Sequence, residues 1–141
     1  MYLITQSASR TLLILGIISA TFFIVGCSSS KNIVDKKGED FDQFYDQFHT
    51  DVNFQSSRIV FPLKGAMEDN SGRTSWTKEN WIPLKVKIQD VDSSKYKVEY
   101  EKMGNRFIQK FSLPGSGFSS EYHFEKIEGR WYLVFAEDIN L

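Results

Sequence analysis

The residues best suited to acid–base chemistry are two histidines, His49 and His123, and the carboxylates beside them. His49 precedes Asp51 by two positions, and His123 lies between Glu121 and Glu125. A histidine paired with a carboxylate can act as a general base, and Asp51 is the alternative base. A metal site needs three or four convergent ligands, which neither histidine has nearby in sequence. We therefore predict no metal and no cofactor, and we favour a helix-end position for His49 and a solvated strand face for His123.

A second group of polar residues recurs at helical spacing. Asp51, Gln55 and Arg58 stand at i, i+4 and i+7, which places them on one side of a helix. On that side they would form the polar floor of a cavity, and the guanidinium of Arg58 would bind an anionic or carbonyl group. The alternative, which we favour, is an Asp51–Arg58 ion pair that stabilises the turn from helix to strand.

Two tryptophans, Trp76 and Trp81, flank a polar tetrapeptide at the end of a long loop predicted for residues 64–80. Loops of this length in compact domains are often functional, and tryptophans are frequent at binding hot spots. The two tryptophans are therefore candidate ligand-binding residues. A loop that its tryptophans pin to the core is the equally supported alternative.

The composition excludes several classes of function. The chain has 141 residues, 41% of them apolar and 25% charged, which is typical of one globular domain. A net charge of −1 provides no basic surface for nucleic acid, and a single cysteine excludes an internal disulfide framework. The sequence contains no G-x-S-x-G, no H-E-x-x-H and no phosphate-binding glycine loop, so we predict no catalytic residues.

The amino-terminal segment predicts export and lipid anchoring. Residues 11–26 are uncharged and mostly apolar, but shorter than the roughly 20 residues that cross a bilayer. They fit the apolar part of a signal peptide covering residues 1–26. The segment ends in Ile24-Val25-Gly26-Cys27, which resembles the lipobox of bacterial lipoproteins. The resemblance implies cleavage between Gly26 and Cys27 and a lipid, including fatty acids such as palmitate, on Cys27. The alternative is an uncleaved signal anchor.

A lipid on Cys27 would place the protein at a membrane of the bacterial cell envelope. Two or three acyl chains, at ~0.8 kcal/mol per buried methylene, anchor a protein stably. Ser28 is the residue that, by resemblance to enteric sorting, favours the outer over the inner membrane. Residues 27–38 show no amphipathic period and predict a flexible tether, which leaves residues 39–141 as the folded domain.

Periodicity in residues 39–141 predicts helices followed by strands. An aromatic stripe at i, i+3, i+4 and i+7 predicts a helix, a further turn or two covers residues 50–57, and alternation predicts strands afterwards. The last strand is apolar on both faces, so it is central or meets a partner. We predict an α+β fold with its amino-terminal helices packed on a curved antiparallel sheet. The stripe is Phe41, Phe44, Tyr45 and Phe48, and the strands are residues 58–63, 81–91, 96–101, 106–113, 118–126 and 130–136.

This order of elements resembles the nuclear transport factor 2-like, or cystatin-like, α+β fold. More narrowly, the segment Phe54-Gln55…Arg58…Phe61-Pro62-Leu63 is similar to an uncharacterised family of bacterial lipoproteins that carry domain of unknown function 4348. The resemblance implies a cone-shaped sheet with a cavity between sheet and helices, and it implies no activity.

Three functions follow from these expectations. The favoured one is a non-catalytic, lipid-anchored binding module for a small ligand or a partner protein, because no catalytic constellation is present. The alternatives are an isomerase or hydrolase that uses His123 or Asp51 as base, and a structural component of a surface complex.

Overall fold

The computed structural model describes residues 38–141, which form two helices, a six-stranded sheet and one 3₁₀ turn. The predicted signal peptide, the cleavage site, Cys27 and all of the tether except Gly38 lie outside the described residues. Within residues 38–141 no helix is long and apolar enough to span a membrane. The elements are α1 (Phe41–Thr50), α2 (Val52–Ser57), β1 (Ile59–Asp69), β2 (Gly72–Trp76), the 3₁₀ turn (Ile88–Asp90), β3 (Lys97–Met103), β4 (Arg106–Leu113), β5 (Phe118–Ile127) and β6 (Arg130–Asn140).

The first helix forms as the aromatic stripe predicts. The Asp40 carboxylate caps it by accepting hydrogen bonds from the backbone N–H groups of Asp42 and Gln43, each at 3.0 Å. All four aromatic residues of the stripe are at most 5% exposed. They pack on one face of the sheet, which we call the inner face; Phe41 lies 4.8 Å from Trp131 between ring centroids. Phe44 and Trp131 are both buried, as a helix docked on a central strand requires.

The sheet is mixed, which corrects the prediction of an antiparallel one. Its strand order is β2-β1-β6-β5-β4-β3, and the β1–β6 pairing is parallel while the other pairings are antiparallel. The last strand, β6, is central, as its two apolar faces predicted. A parallel pair needs a long connection between its strands, which residues 70–129 provide, and the alternation of apolar residues does not indicate in which direction a strand runs.

The first strand is longer than predicted and is paired on both sides. Pro62 lies where the β1–β6 register is interrupted between Ile59 and Lys64, so no ladder hydrogen bond needs its missing N–H. The Phe61–Pro62 peptide bond is cis. The predicted loop at 64–80 is wrong for most of its length, because β1 continues to Asp69 and forms a hairpin with β2.

The segment predicted as a strand at 81–91 is not a strand. It crosses the inner face, and Val86 is 59% exposed whereas Ile88 is buried. Its backbone groups are bonded by side chains instead of by a neighbouring strand. Gln55 bonds both the N–H and the carbonyl of Leu84, and the Tyr45 hydroxyl accepts from the N–H of Ile88. These partners explain why apolar alternation did not produce a strand.

A bulge in β6 changes which of its later residues lie on the inner face. The pairing with β5 shifts between Leu133 and Phe135, and Val134 is the extra residue. Ala136 therefore joins Leu133 on the inner face, where both are fully buried. Simple alternation would place Phe135 on the face of Leu133; with the bulge it lies on the outer face and stacks on His123, 4.4 Å apart between ring centroids.

Candidate ligand-binding site

A cavity of about 480 Å³ opens between the inner face of the sheet and the segment at residues 83–92. Strands β4 and β5 form its floor, and the segment forms its wall and rim. Its surface is largely apolar with a small number of polar groups, which is the usual character of a small-molecule site. The lining residues are Pro83, Leu84, Lys85, Val86, Ile88, Asp90, Val91, Asp92, Tyr96, Gln109, Phe111 and Tyr122.

The floor contains one amide whose orientation is determined by its neighbours. The N–H of Ile88 donates to the Tyr45 hydroxyl at 3.1 Å, and that hydroxyl donates to Oε1 of Gln109. Gln109 is 2% exposed and lines the cavity, and its Nε2 has no hydrogen-bond acceptor among the described residues. Because a glutamine amide carries its donors only on Nε2, the floor presents a hydrogen-bond donor to the cavity.

The second polar group of the floor is the Tyr122 hydroxyl. It donates to Oδ1 of Asp138 at 2.6 Å. Burial raises the pKa of Tyr122, and the nearby carboxylate of Asp138 adds to the effect. Burial likewise raises the pKa of Tyr45. Both phenols therefore stay protonated and act as fixed hydrogen-bond donors.

Gln55 holds the wall of the cavity in place. Its Nε2 donates to the carbonyls of Phe48 at 2.6 Å and Leu84 at 2.8 Å. Its Oε1 accepts from the N–H of Leu84 and from Nε1 of Trp81, each at 3.0 Å. Gln55 is 1% exposed and uses both ends of its amide inside the protein. It positions the wall residue Leu84 and is absent from the lining of the cavity.

Arg58 contacts a carboxylate that we did not predict. It forms a two-pronged pair with Glu39, at 2.8 Å and 3.1 Å, and Nη1 also donates to the carbonyl of Trp131. The favoured Asp51–Arg58 pair is therefore wrong. Asp51 instead caps α2 by accepting from the N–H groups of Asn53 and Phe54.

The two tryptophans lie beside the core. Trp76 is 2% exposed, and its Nε1 donates to the carbonyl of Ala136 at 2.9 Å. Trp81 is half-buried and meets Trp76 edge to face at 5.2 Å. Neither lines the cavity on the inner face. Trp76 ends β2 within the core, and Trp81, in the segment that follows, packs against the core.

Neither histidine lines the cavity. The side chain of His123 is 17% exposed on the outer face, where Nε2 lies 2.7 Å from Oε1 of Glu121. His49 is 6% exposed in the last turn of α1, with Nδ1 2.8 Å from the carbonyl of Tyr45. Nε2 of His49 is buried with no partner among residues 38–141, and burial lowers its pKa. Within the same residues no three metal-ligating side chains converge.

The sequence contained a signal for the floor residue Gln109 that we did not use. Phe107, Gln109 and Phe111 alternate on one side of β4, so the glutamine interrupts an aromatic face. A polar residue enclosed in this way is buried and needs a partner.

The elements and the cavity define a class of protein. The chain has a nuclear transport factor 2-like, cystatin-like α+β fold with helices packed on a curved mixed sheet. It is similar to an NTF2-like protein from Bacteroides fragilis (22% identity, TM-score 0.52) over 76% of this chain and 50% of that one, so it spans half the length of that structure. It is also similar to a cystatin-like protein from Bacteroides caccae (26% identity, TM-score 0.56; 72% of this chain and 77% of that one).

A third structure, a protein from Bacteroides uniformis, has 22% identity and a TM-score of 0.51 over 72% of this chain and 78% of that one. A family model described only as "-like" matches residues 39–140, and the chain belongs to that family. No curated protein matches the chain.

Proposed function

We propose that the protein is a non-catalytic binding module that holds a small molecule in the cavity of the inner face. The observation that carries the proposal is the cavity itself, about 480 Å³ and lined mainly by apolar side chains around two oriented polar groups. A volume of this order accommodates a small organic molecule. The fold supports this use but does not by itself imply an activity.

The positions of the two candidate bases favour binding over catalysis. A general base must lie within hydrogen-bond reach of the bound substrate. Asp51 is exposed at the start of α2, and His123 lies on the opposite face of the sheet from the cavity. The isomerase or hydrolase alternative would therefore need a substrate site at the outer face.

The anchor is the second part of the proposal. The lipobox-like segment ending at Cys27 would attach the module to a membrane of the cell envelope, with the outer membrane favoured by Ser28. Gly38 begins the described residues directly before the domain, so the tether of residues 27–38 would keep the cavity close to the bilayer. A dozen residues reach a few tens of ångströms at most.

A role in a surface complex is the second candidate. The observation that favours it is the outer face around the bulge, where Val60 is 42% exposed and Val134 and Phe135 are only half-buried. Charged groups surround these residues, including Lys64 and Arg106.

The experiment is a titration of residues 38–141 with N-phenyl-1-naphthylamine, an uncharged dye that fluoresces in apolar sites. We expect a saturable signal. Val91→Trp, which fills the cavity, should abolish it, while Val60→Trp, which adds the same bulk to the outer face, should leave it unchanged. Loss of the signal in Val60→Trp alone would overturn the cavity proposal and favour the outer face.

A further inference from the structure

The inference concerns the class of molecule that the cavity selects, and it rests on the proposed binding function. We infer that the ligand is uncharged and apolar, with a hydrogen-bond acceptor, such as a carbonyl oxygen, that meets Nε2 of Gln109 at the floor.

The donor is defined by a directed relay of hydrogen bonds. The backbone N–H of Ile88 donates to the Tyr45 hydroxyl, and the hydroxyl donates its own proton to Oε1 of Gln109. The other end of the amide, Nε2, meets no acceptor among the described residues, and Gln109 lines the cavity. The opposite orientation of the amide is disfavoured, because it would leave the buried Tyr45 proton without an acceptor.

This donor becomes costly when a ligand covers it without meeting it. Gln109 lines the cavity and has Phe107 and Phe111 on either side along its face of β4. A ligand that fills the cavity displaces water from Nε2, and the donor then loses hydrogen bonds that only an acceptor on the ligand can replace. A ligand that brings an oxygen to Nε2 recovers that loss, and a purely apolar ligand does not.

The charges at the rim exclude an anion as the favoured ligand. The charged lining residues are Lys85, Asp90 and Asp92, and they lie on the segment that forms the rim. In the described lining there is no arginine or histidine to receive a carboxylate or phosphate. This differs from the anion site predicted around Arg58, whose guanidinium is paired with Glu39. Two carboxylates against one ammonium disfavour an anion, and the apolar floor contains no charged group among the described residues that would pair with a cation.

The test uses two probes of the same shape. 2-Acetylnaphthalene and 2-isopropenylnaphthalene differ only in a carbonyl oxygen replacing a methylene, and 2-naphthoate adds a negative charge. Binding of each to residues 38–141 is measured by calorimetry. The ratio of acetyl to isopropenyl affinity should fall about tenfold in Gln109→Met, since one hydrogen bond of ordinary strength supplies about that factor. Gln89→Met, the same change at an exposed residue of the 3₁₀ turn, should keep the ratio.

A measurement on the unmodified protein tests the inference even if the Gln109→Met variant does not fold. The side-chain amide protons of Gln109 should shift downfield in NMR spectra with the acetyl probe and not with its isopropenyl counterpart. Equal ratios in wild type and Gln109→Met, an unshifted amide, or tightest binding of 2-naphthoate would each overturn the inference while leaving the binding function intact. Failure of all three probes to bind would overturn both.

Discussion

Glu39 and Arg58 form a two-pronged ion pair, with N···O distances of 2.8 Å and 3.1 Å, that joins the entry of the domain to the turn between α2 and β1. The same carboxylate accepts from the backbone N–H of Trp131 at 2.7 Å, so it also holds the start of β6. The Arg58 guanidinium lies over the Phe54 ring at 4.7 Å. Both side chains are mostly buried, at 23% and 14% exposed, so the pair is part of the architecture.

Arg58→Ala should therefore destabilise the domain by about 3 kcal/mol, because it leaves the Glu39 carboxylate without its partner. Denaturant melts of residues 38–141 measure this loss. Arg73→Ala is the matched control: this arginine also pairs with carboxylates but is half exposed, so the variant should lose much less stability than Arg58→Ala. Ligand affinity that falls in Arg58→Ala while stability is kept would instead restore Arg58 as a binding residue.

Gly65 should not tolerate a side chain. Its φ is +89°, and a Cβ there would lie 2.0 Å from the carbonyl oxygen of Ala136, the acceptor for Trp76 Nε1. Gly65→Ala should cost more than about 3 kcal/mol, the upper end of backbone strain alone. Gly72→Ala shares the positive φ but meets nothing within 4 Å, so it isolates the strain from the clash. Equal melting temperatures for the two variants would show that β1 and β6 do not approach as described.

Gln55→Met should loosen the wall of the cavity. The change leaves the carbonyls of Phe48 and Leu84 and the N–H of Leu84 without partners, at an expected cost of about 3 kcal/mol. Hydrogen exchange should accelerate at the amide of Leu84, and affinity for the naphthylamine dye should fall. Gln47→Met, an exposed position on α1, should change none of these. An unchanged exchange rate at Leu84 would show that Gln55 does not hold the wall of the cavity in place.

His49 should make stability depend on pH. Burial lowers its pKa below the ordinary value of 6.5, so the unfolded chain binds a proton that the folded protein does not. Stability from this residue is full above pH 6.5 and is lost as the pH falls toward the lowered pKa. His49→Phe should reduce the difference between denaturant melts at pH 7.5 and pH 5.5, whereas Gln47→Ala, an exposed and uncharged position on the same helix, should preserve it. An equal difference in wild type and His49→Phe would contradict this origin.

Cys27→Ser should abolish lipid attachment and leave an uncleaved precursor, because the serine hydroxyl does not replace the thiol that the lipobox-like segment presents. Labelling of cells with a radioactive fatty acid and the mobility of the protein on a gel report the two events. Ser28→Ala, a change one residue later, should still be labelled and cleaved. A labelled Cys27→Ser protein would contradict the predicted anchor.

Local patterns predicted the elements that depend on neighbours in sequence. The aromatic stripe predicts α1 correctly, because residues three and four apart share one face of a helix whatever that face packs against. The two-sided hydrophobicity of β6 indicated a central strand for a similar reason, since a strand covered on both faces needs apolar residues on both. Four of the five candidate ligand-binding residues form side-chain hydrogen bonds inside the protein: Gln55, Arg58, Trp76 and Trp81. The fifth, Asp51, caps a helix.

The tertiary structure decided what depends on residues far apart in the chain. The sequence offers both Glu39 and Asp51 as partners for Arg58. The packing of the domain entry against β6 decides that the partner is Glu39. The segment at 81–91 alternates like a strand, but Gln55 and Tyr45 supply its hydrogen bonds and keep it out of the sheet. The direction of the Gln109 amide depends on the same Tyr45 hydroxyl. Long-range hydrogen bonds of this kind leave no periodic trace in a sequence, because each is a single contact between elements whose distance only folding sets.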